Sequence, residues 1–209
     1  MNYIKDVKMN EFVKEALISR IQTLILSNLF TSEESFKFED LLNKEEGCAL
    51  ILSLSKINSL VRKIVVELVL SKLTDLLEKD LIPPLFLFAE EAHLYLRETY
   101  WDDVVTRMRH YGIFTTFVTN QPRALKEHIF RQLDNIFIFK LLNTSDIEFL
   151  ANICPIDSHS LSSLVKDLDL GVCLALGKVT NDLPMVISIM DAPFMAMGET
   201  KLFFNFVKT

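Results

Sequence analysis

The chain has 209 residues, half of them hydrophobic and about a quarter charged, with a net charge of −6. That length holds one sizeable domain and an appendage. The apolar content excludes a disordered chain, and the acidic balance excludes a freestanding nucleic-acid binder that works through overall basic charge.

Residues 1–46 read as a helical segment. In EFVKEALISRIQTLILSNLF the apolar residues Phe12, Ala16, Leu17, Ile21, Leu24, Ile25 and Leu29 recur at helical spacing. FKFEDLLNKEEG predicts a short second helix stopped by Gly47. The texture then changes without a linker, so the N-terminal segment is expected to pack on a core formed by residues 47–209. CALILSLS is a short apolar run expected to be a strand covered on both faces. INSLVRKIVVELVLSKLTDLLEK predicts a long amphipathic helix with Ile57, Leu60, Val61, Ile64, Leu68 and Leu76 on its inner face.

After Pro83 and Pro84, PLFLFA predicts a second strand, LYLRETYWDDVVTRMRHYG a helix ended by Gly112, and IFTTFVT a third strand. PRALKEHIFRQL reads as helical, NIFIFKLL as a strand, and TSDIEFLANI as a helix with Thr144 or Ser145 as candidate caps. SHSLSSLVKDL is a further short helix. GVCLALG and PMVISI are closing strands joined by KVTNDL and expected to pair as a hairpin on the sheet edge. The aromatic tail FMAMGETKLFFNF is expected to pack on the domain or on a neighbouring subunit.

Alternation of strand and helix from residue 48 to about 140 predicts an α/β fold with a mostly parallel sheet flanked by helices. The cysteines Cys48, Cys154 and Cys173 show no CxxC spacing and read as buried thiols in a reducing compartment. The N-terminus is polar, and no apolar run approaches the ~18 residues of a membrane span. The expectation is therefore a cytoplasmic protein without membrane association.

The stretch LFLFAEEAH carries the functional signal. In a parallel sheet, ligands sit at the carboxyl ends of the strands, and the adjacent carboxylates Glu90 and Glu91 fall at such an end. An apolar strand closed by two acids is the layout of a Walker B motif. There the first carboxylate holds Mg²⁺ through water and the second activates the attacking water. The plainer reading is the solvated start of a helix, favoured by its positive N-terminal dipole. The next strand ends in Thr119, followed by Asn120, Gln121, Pro122 and Arg123. An amide there suits a γ-phosphate sensor, and a turn is the simpler alternative. Arg107 and Arg109, just before Gly112, fit either surface positions matched to a helix dipole or arginine fingers.

In order along the chain, FEDLLNKEEGCALILSLSKI, PLFLFAEEAHLYL, MRHYGIFTTFVTNQPRAL, DNIFIFKLLNTSDIEFL and LDLGVCLALGKVTNDLPMVISI resemble the HerA/FtsK branch of hexameric P-loop ATPases, from about Phe38 to Ile189. The resemblance implies a RecA-like fold acting as a DNA translocase or helicase, with Mg²⁺ and ATP as cofactors in a complete assembly. It places Glu90 at the metal-side carboxylate, Glu91 at the catalytic base, Asn120 or Gln121 at the sensor, and Arg109 at the arginine acting in trans. DNA in an assembled ring is the implied partner, with Arg123, Lys126 and Arg131 as the weak candidate contacts. A homo-oligomer or a Walker A-bearing partner chain is also implied, and a nuclease partner is left open. Lys140 stands where the family has an arginine, and lysine lacks the bidentate fork. The expected arginine after the sensor is displaced to Arg123.

The largest departure is the absence of G-x-x-x-x-G-K-[ST] from the whole sequence; Gly47 is its first glycine, and Gly177-Lys178 is followed by Val179. Without that loop this chain offers no backbone nest for phosphates. It therefore resembles the C-terminal part of such an ATPase, incomplete for hydrolysis alone, and it binds the cofactors with help or not at all. The other reading is a non-hydrolysing binding or assembly module that kept the fold. Among the histidines, which form no metal motif, His93 follows the acids and could link nucleotide state to DNA contacts, but a place on a helix surface is the plainer expectation.

Overall fold

The computed structural model describes residues 10–26, 37–95, 109–191 and 193. They fall into two compact units that divide between Gln132 and Leu133. The expected helix over 94–112 lies mostly outside the described residues, as do Arg107 and the aromatic tail.

The first unit opens with helices α1 (Glu11–Leu26) and α2 (Phe38–Leu42), and α1 buries none of its residues. The run expected to be the first strand forms none: Gly47 to Ser53 are all exposed, Ile51 by 88%. A strand needs a neighbouring backbone to take its N–H and C=O groups, and no described strand pairs with this one. Cys48 is consequently exposed, whereas Cys154 and Cys173 are buried as expected. Burial pushes both of those thiols up from the ordinary cysteine range.

Helix α3 (Ser59–Glu78) begins where the Asn58 side chain accepts the Val61 N–H at 2.9 Å. Its buried residues are Val61, Val66, Leu70, Leu73, Leu76 and Leu77. Leu60 and Leu68, expected on the inner face, are instead 41% and 52% exposed. Charged residues are spread round the helix, with Arg62 and Lys72 falling away from Lys63, Glu67 and Asp75, so periodicity alone could not select the buried face.

Strands β1 (Leu85–Ala89) and β2 (Ile113–Phe117) pair in parallel with Leu85 opposite Ile113 and Ala89 opposite Phe117. Gly112 precedes β2 with φ +83, and a Cβ there would lie 3.0 Å from the Pro84 side chain, so both conformation and space call for glycine. Side chains alternate across the ribbon. Ala89 is buried, while Phe86 and Phe88 are exposed on the other face, where Phe86 meets Phe114 across the strands at a ring-centroid distance of 5.4 Å. Coverage on both faces, expected of an apolar strand, is therefore realised on one face among the described residues. A 3-10 turn at Pro122–Ala124 and the single-turn helix α4 (Glu127–Phe130) complete this unit.

The second unit is a three-stranded antiparallel sheet in the order β3 (Asn135–Ile138), β4 (Val172–Gly177), β5 (Met185–Ser188), with helices α5 (Thr144–Ala151) and α6 (Ser158–Lys166) between β3 and β4. Strand β4 is central, and Cys173 to Leu176 are all buried, as its unbroken apolar run predicts. The closing hairpin β4–β5 forms as expected, but it joins β3 in this antiparallel sheet and, among the described residues, does not sit on the edge of the parallel pair β1–β2. Helix α5 is capped by Asn143, one residue earlier than predicted, whose side chain accepts the Asp146 N–H at 3.2 Å. Asp157 caps α6 in the same way at 2.9 Å. The hydrogen bonds from Ser160 hold the Asp157 carboxyl below the usual carboxylate range.

Candidate functional site

The carboxyl ends of β1 and β2 lie side by side because the two strands are parallel and in register. The chain leaving β1 turns at once. Glu90 is exposed, and Glu91 adopts the left-handed conformation at φ 50, ψ 42. A short 3-10 turn, Ala92–Leu94, follows. Positive φ in a non-glycine residue is uncommon and costs about 1–2 kcal/mol. Three hydrogen bonds hold the turn. The Ala92 N–H donates to the Val118 carbonyl at 3.0 Å, the Leu94 N–H to the Glu91 carbonyl at 2.9 Å, and the Tyr95 hydroxyl to the Glu90 carbonyl at 2.6 Å. The strain at Glu91 gives a direct expectation. Glu91→Gly should be more stable than Glu91→Ala by about 1 kcal/mol, the reverse of the usual order, because only the alanine keeps a Cβ in the left-handed region. Chemical denaturation of the two variants checks it.

Tyr95 was not singled out from the sequence. It is 9% exposed, and its phenol is pushed up to about 12, first by burial and then by the nearby charges of Glu90 and Glu91. A folded-state value above the ordinary 10 means that the native state holds its proton longer than the unfolded chain. The associated stability is complete below pH 10 and is lost as pH rises toward 12. Tyr95→Phe should therefore flatten the fall in stability between pH 10 and 12, measured as the thermal midpoint across that range.

His93 sits inside, 7% exposed, and not on a helix surface as the sequence suggested. Its short 3-10 turn directs the ring inward toward the neighbouring strand's end. The Nδ1 atom lies 3.0 Å from Thr119 Oγ1 and 3.4 Å from Glu91 Oε2. Thr119 Oγ1 also accepts the Gln121 N–H at 3.0 Å. One small polar cluster thus joins Glu91, from β1, to the loop of Thr119, Asn120 and Gln121 that follows β2. The Glu91 side chain stays half exposed, and Asn120 and Gln121 are exposed. The signal that could have revealed His93 is its place beyond a buried strand, opposite another strand that ends in a hydroxyl.

The remaining candidates lie elsewhere. Arg109 is exposed in the turn leading into β2, where its carbonyl accepts the Gly112 N–H at 3.3 Å. That is the amino end of β2, while Thr119 follows the carboxyl end, and five strand residues put roughly 15 Å between them. Arg109 thus stands at the opposite end of the ribbon from Glu91. Arg123 is exposed in the 3-10 turn after the loop, Lys126 is partly buried, and Arg131 pairs with Glu127 at 2.5 Å. The described residues contain no cluster of three or more His, Cys, Asp or Glu placed to hold a metal ion. They suit a hydrated Mg²⁺, which keeps most of its waters and needs one or two carboxylates, and Glu90 is the exposed carboxylate at the strand end. They do not suit the gripping of a triphosphate, because the sequence has no glycine-rich phosphate loop. Among the described residues no helix is long and apolar enough to cross a membrane.

The fold is that of the P-loop ATPases. It is similar to the crystal structure of B204, the DNA-packaging ATPase from Sulfolobus turreted icosahedral virus, with a TM-score of 0.57 at 17% identity over 85% of this chain and 92% of that one. It is also similar to VirB4 of Thermoanaerobacter pseudethanolicus, with a TM-score of 0.52 at 18% identity over 67% of this chain and 40% of that one. Within that class the chain is a relative of the HerA/FtsK-type P-loop ATPases. It is 29% identical over 113 residues to the DNA double-strand break repair helicase HerA of Saccharolobus solfataricus, covering 51% of this chain and 22% of that protein. It is 27% identical over 167 residues to the HerA of Sulfolobus acidocaldarius, covering 73% of this chain and 34% of that protein. The chain therefore spans about a third or less of the curated relatives it matches. No protein-family model matches it.

Proposed function

We propose that this chain supplies the water-activating half of an ATP-driven DNA translocase or helicase of the HerA type, with the phosphate-binding loop contributed by another segment or another chain. The observation that carries the reading is the paired carboxylates at the carboxyl end of β1, with Glu91 tied through His93 to the loop after the adjacent parallel strand. In this reading Glu90 orders the water shell of a magnesium ion. Glu91, half exposed, accepts a proton from the attacking water. The loop of Asn120 and Gln121 offers amides within reach of the same rim. Bound Mg-ATP would supply the transferable γ-phosphoryl group; the residues here position and deprotonate the water.

Arg109 cannot serve the site of its own subunit from the far end of β2. In a ring it would face a neighbour's nucleotide, as an arginine finger does. The same ring would gather Arg123 and Lys126 around DNA, offsetting a net charge that opposes DNA binding by the isolated chain. The second reading, a non-hydrolysing assembly module, is favoured by one specific feature, the missing phosphate loop.

The test is ATP turnover. A tagged chain isolated from its own cells with its bound partners should hydrolyse Mg-ATP faster when DNA is added, while the chain alone should not. Turnover by the assembly that is indifferent to Glu91→Gln would remove this reading and leave the assembly module.

A further inference from the structure

We infer that His93 is a positioning residue that shares one Nδ1 proton between Thr119 and Glu91, so that the loop after β2 sets the position of the proposed water-activating carboxylate. The inference deepens the function proposed above and rests on it.

The Thr119 contact alone admits either direction, since a hydroxyl both donates and accepts, and the neighbouring carboxylate favours Nδ1 as the donor. A carboxylate is acceptor-only, and Glu91 Oε2 is 3.4 Å from Nδ1. A bare Nδ1 lone pair facing that oxygen would be repelled, and we therefore place the hydrogen on Nδ1. Thr119 Oγ1, at 3.0 Å, already accepts the Gln121 N–H and has a second lone pair for the His93 donor. At these distances the proton leans toward Thr119, the nearer of the two acceptors. The gap to Glu91 is about half an ångström beyond an ordinary hydrogen bond.

That gap gives the cluster two arrangements. With the Thr119 loop in its present place, Nδ1–H is held by the hydroxyl, and Glu91 is only loosely aligned. A shift of the loop that lengthens the Thr119 contact transfers the donor to Glu91 and fixes its rotamer. His93 is 7% exposed, so water does not readily replace either acceptor. The left-handed turn at Glu91 keeps the carboxylate and His93 on the same short turn, which lets a small ring rotation exchange the partners. A ligand read by Asn120 or Gln121 therefore reaches Glu91 through the Thr119–His93 hydrogen bond and the longer His93–Glu91 contact.

Two measurements test this, one without nucleotide. Long-range ¹H–¹⁵N spectra of the imidazoles in the chain itself, with His93→Gln identifying the signals, should show His93 protonated at Nδ1. Thr119→Val should move the Nδ1 shift while keeping that tautomer, because Glu91 becomes the sole acceptor. A His93 ring protonated at Nε2 would overturn the inference, whatever the ATPase result. In the ATP-hydrolysing assembly, His93→Gln should lower kcat about 10- to 100-fold with KM little changed, as expected for a misplaced reacting group. His93→Asn should recover most of it, because its amide N–H overlies Nδ1, whereas the Gln amide overlies Nε2. Equal losses in the Asn and Gln variants would overturn the inference and assign His93 a packing role. An Nδ1 tautomer combined with turnover insensitive to Glu91→Gln would reject the proposed function, and with it the catalytic purpose of the cluster.

Discussion

Glu91→Gln should reduce ATP turnover by the assembly about 10²- to 10⁴-fold while leaving KM nearly unchanged, the range expected when a positioned general base is removed. Glutamine keeps the size of the side chain and an amide oxygen that can still accept from His93 Nδ1, so the polar cluster survives. What it loses is a group able to take a proton. The left-handed turn is equally strained in both proteins, and their thermal midpoints should agree to within a degree or two. That separates chemistry from folding. Steady-state turnover at saturating Mg-ATP, together with a direct binding measurement, checks the split. A fall in KM alongside kcat would point to relieved ground-state strain, and loss of nucleotide binding would show that Glu91 holds the ligand instead of activating water.

The second large effect is structural. Gly177→Ala should destabilise the antiparallel unit by roughly 3 kcal/mol or more, the tail of the range for single substitutions. Gly177 has φ +104, ψ −156, and an added Cβ would lie 2.1 Å from the Asp134 carbonyl oxygen. That backbone region is nearly closed to side chains, and the obstructing atom is backbone that cannot rotate away. Relief would require separating β3 from the end of β4. The cost would include the Lys178 N–H donated to Asp134 O at 3.0 Å, the Val179 N–H donated to Asn135 Oδ1 at 2.7 Å, and the Lys178–Asp134 ion pair. Gly171→Ala is the control. It also has positive φ, +75, but nothing lies within 4 Å of its would-be Cβ. Its cost should be about 1 kcal/mol, from conformation alone. Urea unfolding of the two variants, followed by far-ultraviolet circular dichroism, measures the difference. Equal midpoints would mean that the close approach at Asp134 is not maintained in solution.

The destabilisation at Gly177 bears on how a short motif is read. Gly177-Lys178 is the only Gly-Lys pair in the chain, and from the sequence it could be set aside as a phosphate loop only by its position and the following Val179. The structure supplies the reason for the glycine, which is a sharp exit from β4 over the start of β3. Lys178 is engaged by Asp134. Both residues are explained by the hairpin end without any ligand.

The linear sequence by itself determined the elements whose physics is local. The alternation of apolar runs with helical periods located β1, β2 and the β4–β5 hairpin, and the abrupt step from LFLFA to two acids located the candidate site. Caps came within a residue, because asparagine and threonine side chains are both able to accept backbone N–H groups and only loop geometry chooses Asn143. What depends on neighbours was decided by tertiary structure alone. CALILSLS has a strand's composition, but no backbone pairs with it among the described residues. Helix α3 has charged residues spread round its axis, so its buried side was set by the elements around it. His93 and Thr119 lie 26 residues apart and meet only because parallel pairing in register brings two strand ends together. A hydrogen bond between distant residues leaves no periodic trace along the chain, which is why the acids could be read directly and the group that positions one of them could not.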